Sequence, residues 1–136
     1  MTGELLGSGQ PGSAPGLELM LLRTTIAPGG GMSPHSHPGA GVIFVEAGTW
    51  GYTPLGGTTH QLTRAAVAGT PTPAEAMPIG TEVILTAGDW LFNEDPQDAM
   101  RNAGEDDVVL LIAVLAPIGE PGTTFLDAQG TPVPAP

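Results

Sequence analysis

Apolar residues come along this chain in short bursts rather than in long periodic stretches. LELMLLRTTI (17–26), GVIFVEAG (41–48), TWGYTP (49–54), HQLTR (60–64), TEVILTAG (81–88), DWLF (89–92) and DVVLLIAVLAP (107–117) are separated by segments rich in Gly, Pro and polar residues. With 21 Gly and 15 Pro among 136 residues, few windows hold three turns of helix. Short β-branched runs between turn signals predict an all-β chain folded as an antiparallel sandwich or barrel. The first run alternates weakly. The stretch 108–115 is apolar throughout, which predicts a central strand covered on both faces, although a short buried helix reads the same way. The Gly56-Gly57 pair predicts a tight hairpin between the runs on either side of it.

The remaining segments set the domain plan. Residues 1–16, MTGELLGSGQPGSAPG, are polar and Gly/Ser/Pro-rich and read as a flexible leader. Residues 17–117 form one barrel domain, and 118–136 an extended C-terminal tail that Phe125 and Leu126 anchor. Within the barrel, the Ala/Pro/Thr-rich segment 65–80 has no period and reads as a long loop with one short turn at 73–77.

Charge narrows the partners. Fourteen acids stand against three Arg and no Lys, a formal charge of -11, so nucleic acid and anionic membrane surfaces are repelled. The same shortage excludes Schiff-base chemistry and multi-arginine phosphate clamps. No cysteine is present, which removes disulfides, zinc–thiolate sites and thiol nucleophiles together. No run approaches the roughly 20 apolar residues of a membrane helix. The chain is expected to be soluble, either cytoplasmic or an exported domain with its signal removed.

The chemistry concentrates in GGGMSPHSHPGAG, residues 29–41, where two of the three histidines stand one residue apart. On a strand His35 and His37 point to one face, about 7 Å apart, and two leaning imidazoles chelate one ion in many Zn, Fe, Mn, Ni and Cu sites. Pro34 and Pro38 stiffen the flanks. Read outward, Gly29, five residues, His35-Ser36-His37, three residues to Gly41 and six more to Gly48 resembles the first signature of the cupin superfamily. GDWLFNEDPQDAMRNAG, residues 88–104, resembles the second, with its opening Gly-Asp and closing Arg-Asn-x-Gly. The resemblance covers roughly residues 17–117 and implies a cupin double-stranded β-helix, a jelly-roll barrel, that pairs as a homodimer through edge strands. It also implies a pocket between the sheets near the paired histidines.

Two positions depart from the family pattern. Gly41 stands where cupins place a glutamate ligand, and Asp98 where they place a third histidine, with three residues between it and Asn102. The Pro-x-Gly is replaced by Asn93 and Asp95, and the spacing from Gly88 to Asn102 is one residue short. Three readings follow. His35, His37 and Asp98 form a reduced site for one divalent transition metal (Fe, Mn, Zn or Ni), a two-His, one-carboxylate set associated with Fe(II) oxygen chemistry. Alternatively the metal is weakly bound or lost, and the barrel holds a small-molecule ligand through neutral imidazoles. In the third reading His60 joins as a ligand, but its place near the Gly-Gly turn predicts an exposed side chain. Because a one-residue deletion inverts a strand's facing, the first reading fails if Asp98 points outward.

Secondary candidates carry less. Glu46 reads as a solvated hairpin end, and Glu94, Asp95 and Asp89 as turn residues, Asp89 completing the Gly-Asp turn. Ser33 and Ser36 lack the oriented base that a hydrolase needs. Trp50, Tyr52, Trp90 and Phe92 are expected to give the pocket an aromatic lining, with Met32 and Met100 beside it. A small-molecule-binding barrel with a reduced metal site is the main reading, and a metal-dependent oxygenase or related enzyme the alternative.

Overall fold

The computed structural model describes all 136 residues. In chain order its strands are β1 (Thr2–Gly9), β2 (Leu17–Ile26), β3 (Gly31–Ser36), β4 (Ala40–Ala47), β5 (Thr49–Gly56), β6 (Thr59–Thr63), β7 (Ala74–Ala76), β8 (Val83–Thr86), β9 (Trp90–Glu94), β10 (Gln97–Asn102), β11 (Val108–Pro117) and β12 (Thr124–Phe125). One sheet runs β1-β2-β11-β4-β9-β6-β7 and the other β12-β3-β10-β5-β8. Every pairing is antiparallel, and the two sheets close on each other as a jelly-roll barrel. All seven apolar bursts became strands; the other five strands carry no apolar signal.

The core lies between the sheets. Ile26, Val45, Leu62, Leu91, Val108 and Leu110 from one sheet meet Trp50, Tyr52 and Leu85 from the other, with Met77 closing the side. Burying an aliphatic side chain of this size contributes about 2 kcal/mol. Two polar residues secure the turns beneath this core. Asn102 donates to the Ile26 and Asp106 carbonyls at 2.8 and 2.7 Å and accepts from Gly104 N–H at 2.9 Å. Asp89 accepts from the Thr86 and Ala65 N–H groups, both at 2.9 Å, and from Arg64 at 3.0 Å. Burial raises the Asp89 pKa, and these donors more than reverse that, so its carboxyl titrates below the usual range.

Four expectations are corrected. Residues 1–16 are not a flexible leader throughout, because β1 pairs with β2 from Thr2↔Thr25 to Gly9↔Leu19. All eight β1 residues are exposed, so the pairing rests on the backbone ladder and leaves no apolar pattern to read. Gly56-Gly57 does not close a hairpin. β5 and β6 belong to different sheets, and the turn carries the chain across the barrel. Gly57 has φ +99°, and a Cβ there would collide with the backbone at Asp95 and Pro96, which fixes glycine at this crossing. The segment 65–80 is not wholly loop, since Ala74–Ala76 adds β7 to the edge of β6.

The fourth correction concerns β11. It is central, between β2 and β4, yet only one face is covered. Val108, Leu110 and Ala116 are buried, whereas the alternate residues Val109, Leu111, Ala113 and Leu115 remain half-exposed. Leu19, Leu21, Val42 and Phe44 on the neighbouring strands are exposed, so this sheet has an apolar outer surface.

Candidate metal centre

β3 and β10 build the site. Asp98 lies directly opposite His35 in the pairing of these strands, and Asp98 is 2% and His35 0% exposed. The short spacing before Asn102 does not turn Asp98 outward, because along β10 it alternates onto the same face as Met100 and Asn102, and the partner strands each carry a bulge here. β3 holds one extra residue between Met32 and His35, and β5 one between Pro54 and Gly56. His37 follows the end of β3, its backbone N–H donating to the Pro96 carbonyl at 3.2 Å.

Backbone carbonyls choose both histidine tautomers. A carbonyl only accepts, so His35 Nδ1–H donates to Ser33 O at 2.7 Å and His37 Nδ1–H to Gly122 O at 2.6 Å. Thr123 Oγ1 stands 3.3 Å from the same His37 nitrogen. In the neutral rings, both Nε2 atoms therefore keep their lone pairs. His35 Nε2 sits 3.2 Å from Asp98 Oδ1 without a hydrogen bond, one of two orphaned buried side-chain polar atoms in the protein. A lone pair facing a carboxylate is unfavourable unless a proton or a metal cation stands between them. The ligating atoms of His35, His37 and Asp98 all lie within 4.8 Å of one another.

The electrostatics mark the same spot. Burial depresses the His35 pKa, but the adjacent Asp98 oxygen and its charge outweigh it, so His35 titrates above its ordinary value. His37 titrates below its own, chiefly through burial, which the Gly122 carbonyl only partly offsets. This donor set fits a divalent transition metal: neutral imidazoles with fixed tautomers, an anionic oxygen, and partners behind both rings. Gly41 supplies no fourth ligand. Its would-be side-chain space is taken by Asn93, whose Oδ1 lies 3.2 Å from where a Cβ would sit.

Sequence reasoning missed a hydrogen-bonded chain behind the site. His60 is 7% exposed, not solvent-facing, and it lies outside the metal-ligating group. Its Nε2–H donates to Gly56 O at 2.5 Å, so its Nδ1 accepts from Tyr52 O–H at 2.7 Å. Asn93 Nδ2 donates to the same phenol oxygen at 3.3 Å. Burial, and then the Asp98 charge, holds the Tyr52 phenol well above its ordinary pKa. Nothing in the sequence spacing pairs His60 with Tyr52, because their strands lie in opposite sheets.

The site opens into a cavity of about 400 Å³. Met32, Trp50, Tyr52 and Met100 border it, together with His35, His37 and Asp98. Trp90 and Phe92 do not border it. They alternate with the buried Leu91 and Asn93 and face outward, because period-2 alternation admits only one of the two sets. Glu46 pairs with Arg23 at 3.0 Å on the exterior. Asp95 accepts from Gly39 N–H at 2.9 Å, and Glu94 is half-exposed, so Asp98 is the one carboxylate of the acidic group in the site. Met1, Gly122 and Thr123 also border the cavity.

Neither a family model nor a curated protein matches this chain. Solved structures do match. An uncharacterized conserved protein with a double-stranded β-helix domain from Klebsiella pneumoniae is 19% identical over 80% of this chain and 75% of that one, with a TM-score of 0.53. A cupin 2 domain-containing protein from Halorhodospira halophila is 14% identical over 94% and 70% of the two chains, with a TM-score of 0.57. A cupin-like protein from Thermotoga maritima is 17% identical over 95% and 83%, with a TM-score of 0.52.

Proposed function

The chain has the cupin double-stranded β-helix fold, and on that fold we propose that His35, His37 and Asp98 hold one divalent transition metal whose open positions face a small-molecule ligand. The observation that carries this reading is the gathering of ligating atoms of His35, His37 and the buried Asp98 within 4.8 Å of one another, with His35 Nε2 unpartnered beside the carboxylate. Fe, Mn, Zn and Ni all suit such a donor set. When bound, the ion supplies a Lewis-acidic position for an oxygen or nitrogen of the ligand. The protein's own residues do the rest. Ser33 and Gly122 orient the imidazoles, Asn93 fills the position beside Gly41, and the apolar walls exclude water.

Elemental analysis of untagged protein, with calorimetric titration of Zn(II) and Fe(II), tests the reading. Near-stoichiometric metal that is lost in His35→Ala and Asp98→Ala supports it, and absence of binding after incubation with each ion refutes it. The enzymatic alternative draws on the same two-His, one-carboxylate set and requires oxygen consumption by the Fe(II)-loaded protein. Pairing with a second copy belongs to the same proposal. The exposed Leu19, Leu21, Val42 and Phe44 supply its apolar surface, and sedimentation equilibrium checks it.

A further inference from the structure

The wall of the cavity constrains what enters it. Of its 24 bordering residues, 13 are hydrophobic, and Asp98 is the one acidic residue among them. No Arg borders the chamber, and the chain has no Lys. All three Arg residues lie outside, each tied to an acid: Arg23 to Glu46, Arg64 to Asp89 and Arg101 to Glu82. The Tyr52 phenol is already held by His60 and Asn93. The second orphaned atom of the protein, Trp50 Nε1, belongs to a fully buried side chain on the same wall. That nitrogen is itself buried, so the wall presents no indole N–H to an occupant.

We infer that the occupant is an uncharged, largely apolar ring-sized molecule carrying hydroxyl or carbonyl oxygen, and not a carboxylate, a phosphate or a sugar; this rests on the metal-centre reading above for the position of one oxygen. An anionic group that extends past the metal meets methionine and branched aliphatic side chains with no Arg or Lys to pair it, which disfavours its burial. A sugar brings several hydroxyls to a wall with few partners and leaves most of them unsatisfied. An apolar body gains from the same wall. A 150 Å³ cavity holds one benzene, so 400 Å³ accommodates on the order of fifteen non-hydrogen atoms. Neutral phenols, aromatic alcohols and cyclic ketones meet these conditions.

The test compares 2-naphthol, 2-naphthoate, 2-naphthyl phosphate and glucose by calorimetry against the Zn(II)-loaded and the metal-free protein. Naphthol is expected to bind the loaded protein at least tenfold more tightly than either anion, with no detectable heat from glucose. Filling the chamber with Val114→Phe, or with Ile112→Phe should the first variant fold poorly, is expected to abolish naphthol binding while Zn(II) binding persists. Equal or tighter binding of naphthoate or the phosphate overturns the inference, as does naphthol binding that survives a folded filling variant. Zn(II) binding with no heat from any organic probe overturns it while leaving the metal centre standing. Selective naphthol binding to a protein that takes up no Zn(II) refutes the metal centre and supports the ligand class.

Discussion

Two sets of buried polar residues use the same vocabulary to opposite ends. Asn102 and Asp89 sit beneath the core, and each meets three donors or acceptors, mostly backbone. His35 and Asp98 sit above it and leave a nitrogen unpartnered beside a carboxylate. The first set is saturated and therefore structural, because nothing further binds to it. The second leaves a place that a proton on His35 or, on the proposed reading, a metal ion completes. Within one small barrel, hydrogen-bond satisfaction separates the residues that secure the turns from the residues proposed to hold a ligand.

That separation predicts effects on different observables. The largest belongs to the upper set. His35→Ala or Asp98→Ala lowers metal affinity by about a thousandfold, roughly 4 kcal/mol, with little change in the thermal midpoint of the metal-free protein. A midpoint that collapses in these variants breaks the distinction. Next, Asn102→Ala strips partners from two carbonyls and one N–H and lowers stability by about 3 kcal/mol in urea titration. Metal affinity of the folded fraction stays within about twofold, and any larger loss contradicts a purely structural role.

Removing residues 118–136 takes away the Gly122 carbonyl that orients His37, and metal affinity falls by about 10- to 100-fold, as for loss of an outer partner of a ligating imidazole. Unchanged affinity in the folded truncated chain would show that the ring needs no support from the tail. The smallest effect follows from Asp89. Its pKa is depressed in the folded state, so its contribution is full above the unfolded-state value near 4 and is lost as pH falls through the lower folded value. Urea midpoints measured from pH 5 downward should decline less steeply in Asp89→Asn than in the parent protein. An identical slope means that the turn is held by backbone geometry alone.

The sequence carried the barrel further than it carried the site. Runs such as 17–26 and 107–117 declared themselves because their apolar side chains are what the core consumes. β1 gave no such sign, since a strand exposed at all eight positions spends only its backbone. His35 and His37 were legible as a pair from strand alternation, whereas the inward facing of Asp98 depended on where β10 begins its alternation, which the shortened spacing obscured. Trp90 and Phe92 shared their strand with Leu91 and Asn93, and alternation alone does not say which pair turns inward. The partnership of Tyr52 and His60 required knowing that the chain changes sheets at Gly57.

The two imidazoles are oriented from unequal distances. His35 takes its partner two residues away on its own strand, while His37 takes its partner from Gly122, 85 residues later. In a chain made from its N-terminus, the first ring is set as soon as β3 forms, and the second waits until the tail has left the ribosome and docked. Metal competence is thus written last, when translation has passed the barrel, so a chain stalled after β11 would carry a formed vessel with one of its three ligands still free to turn.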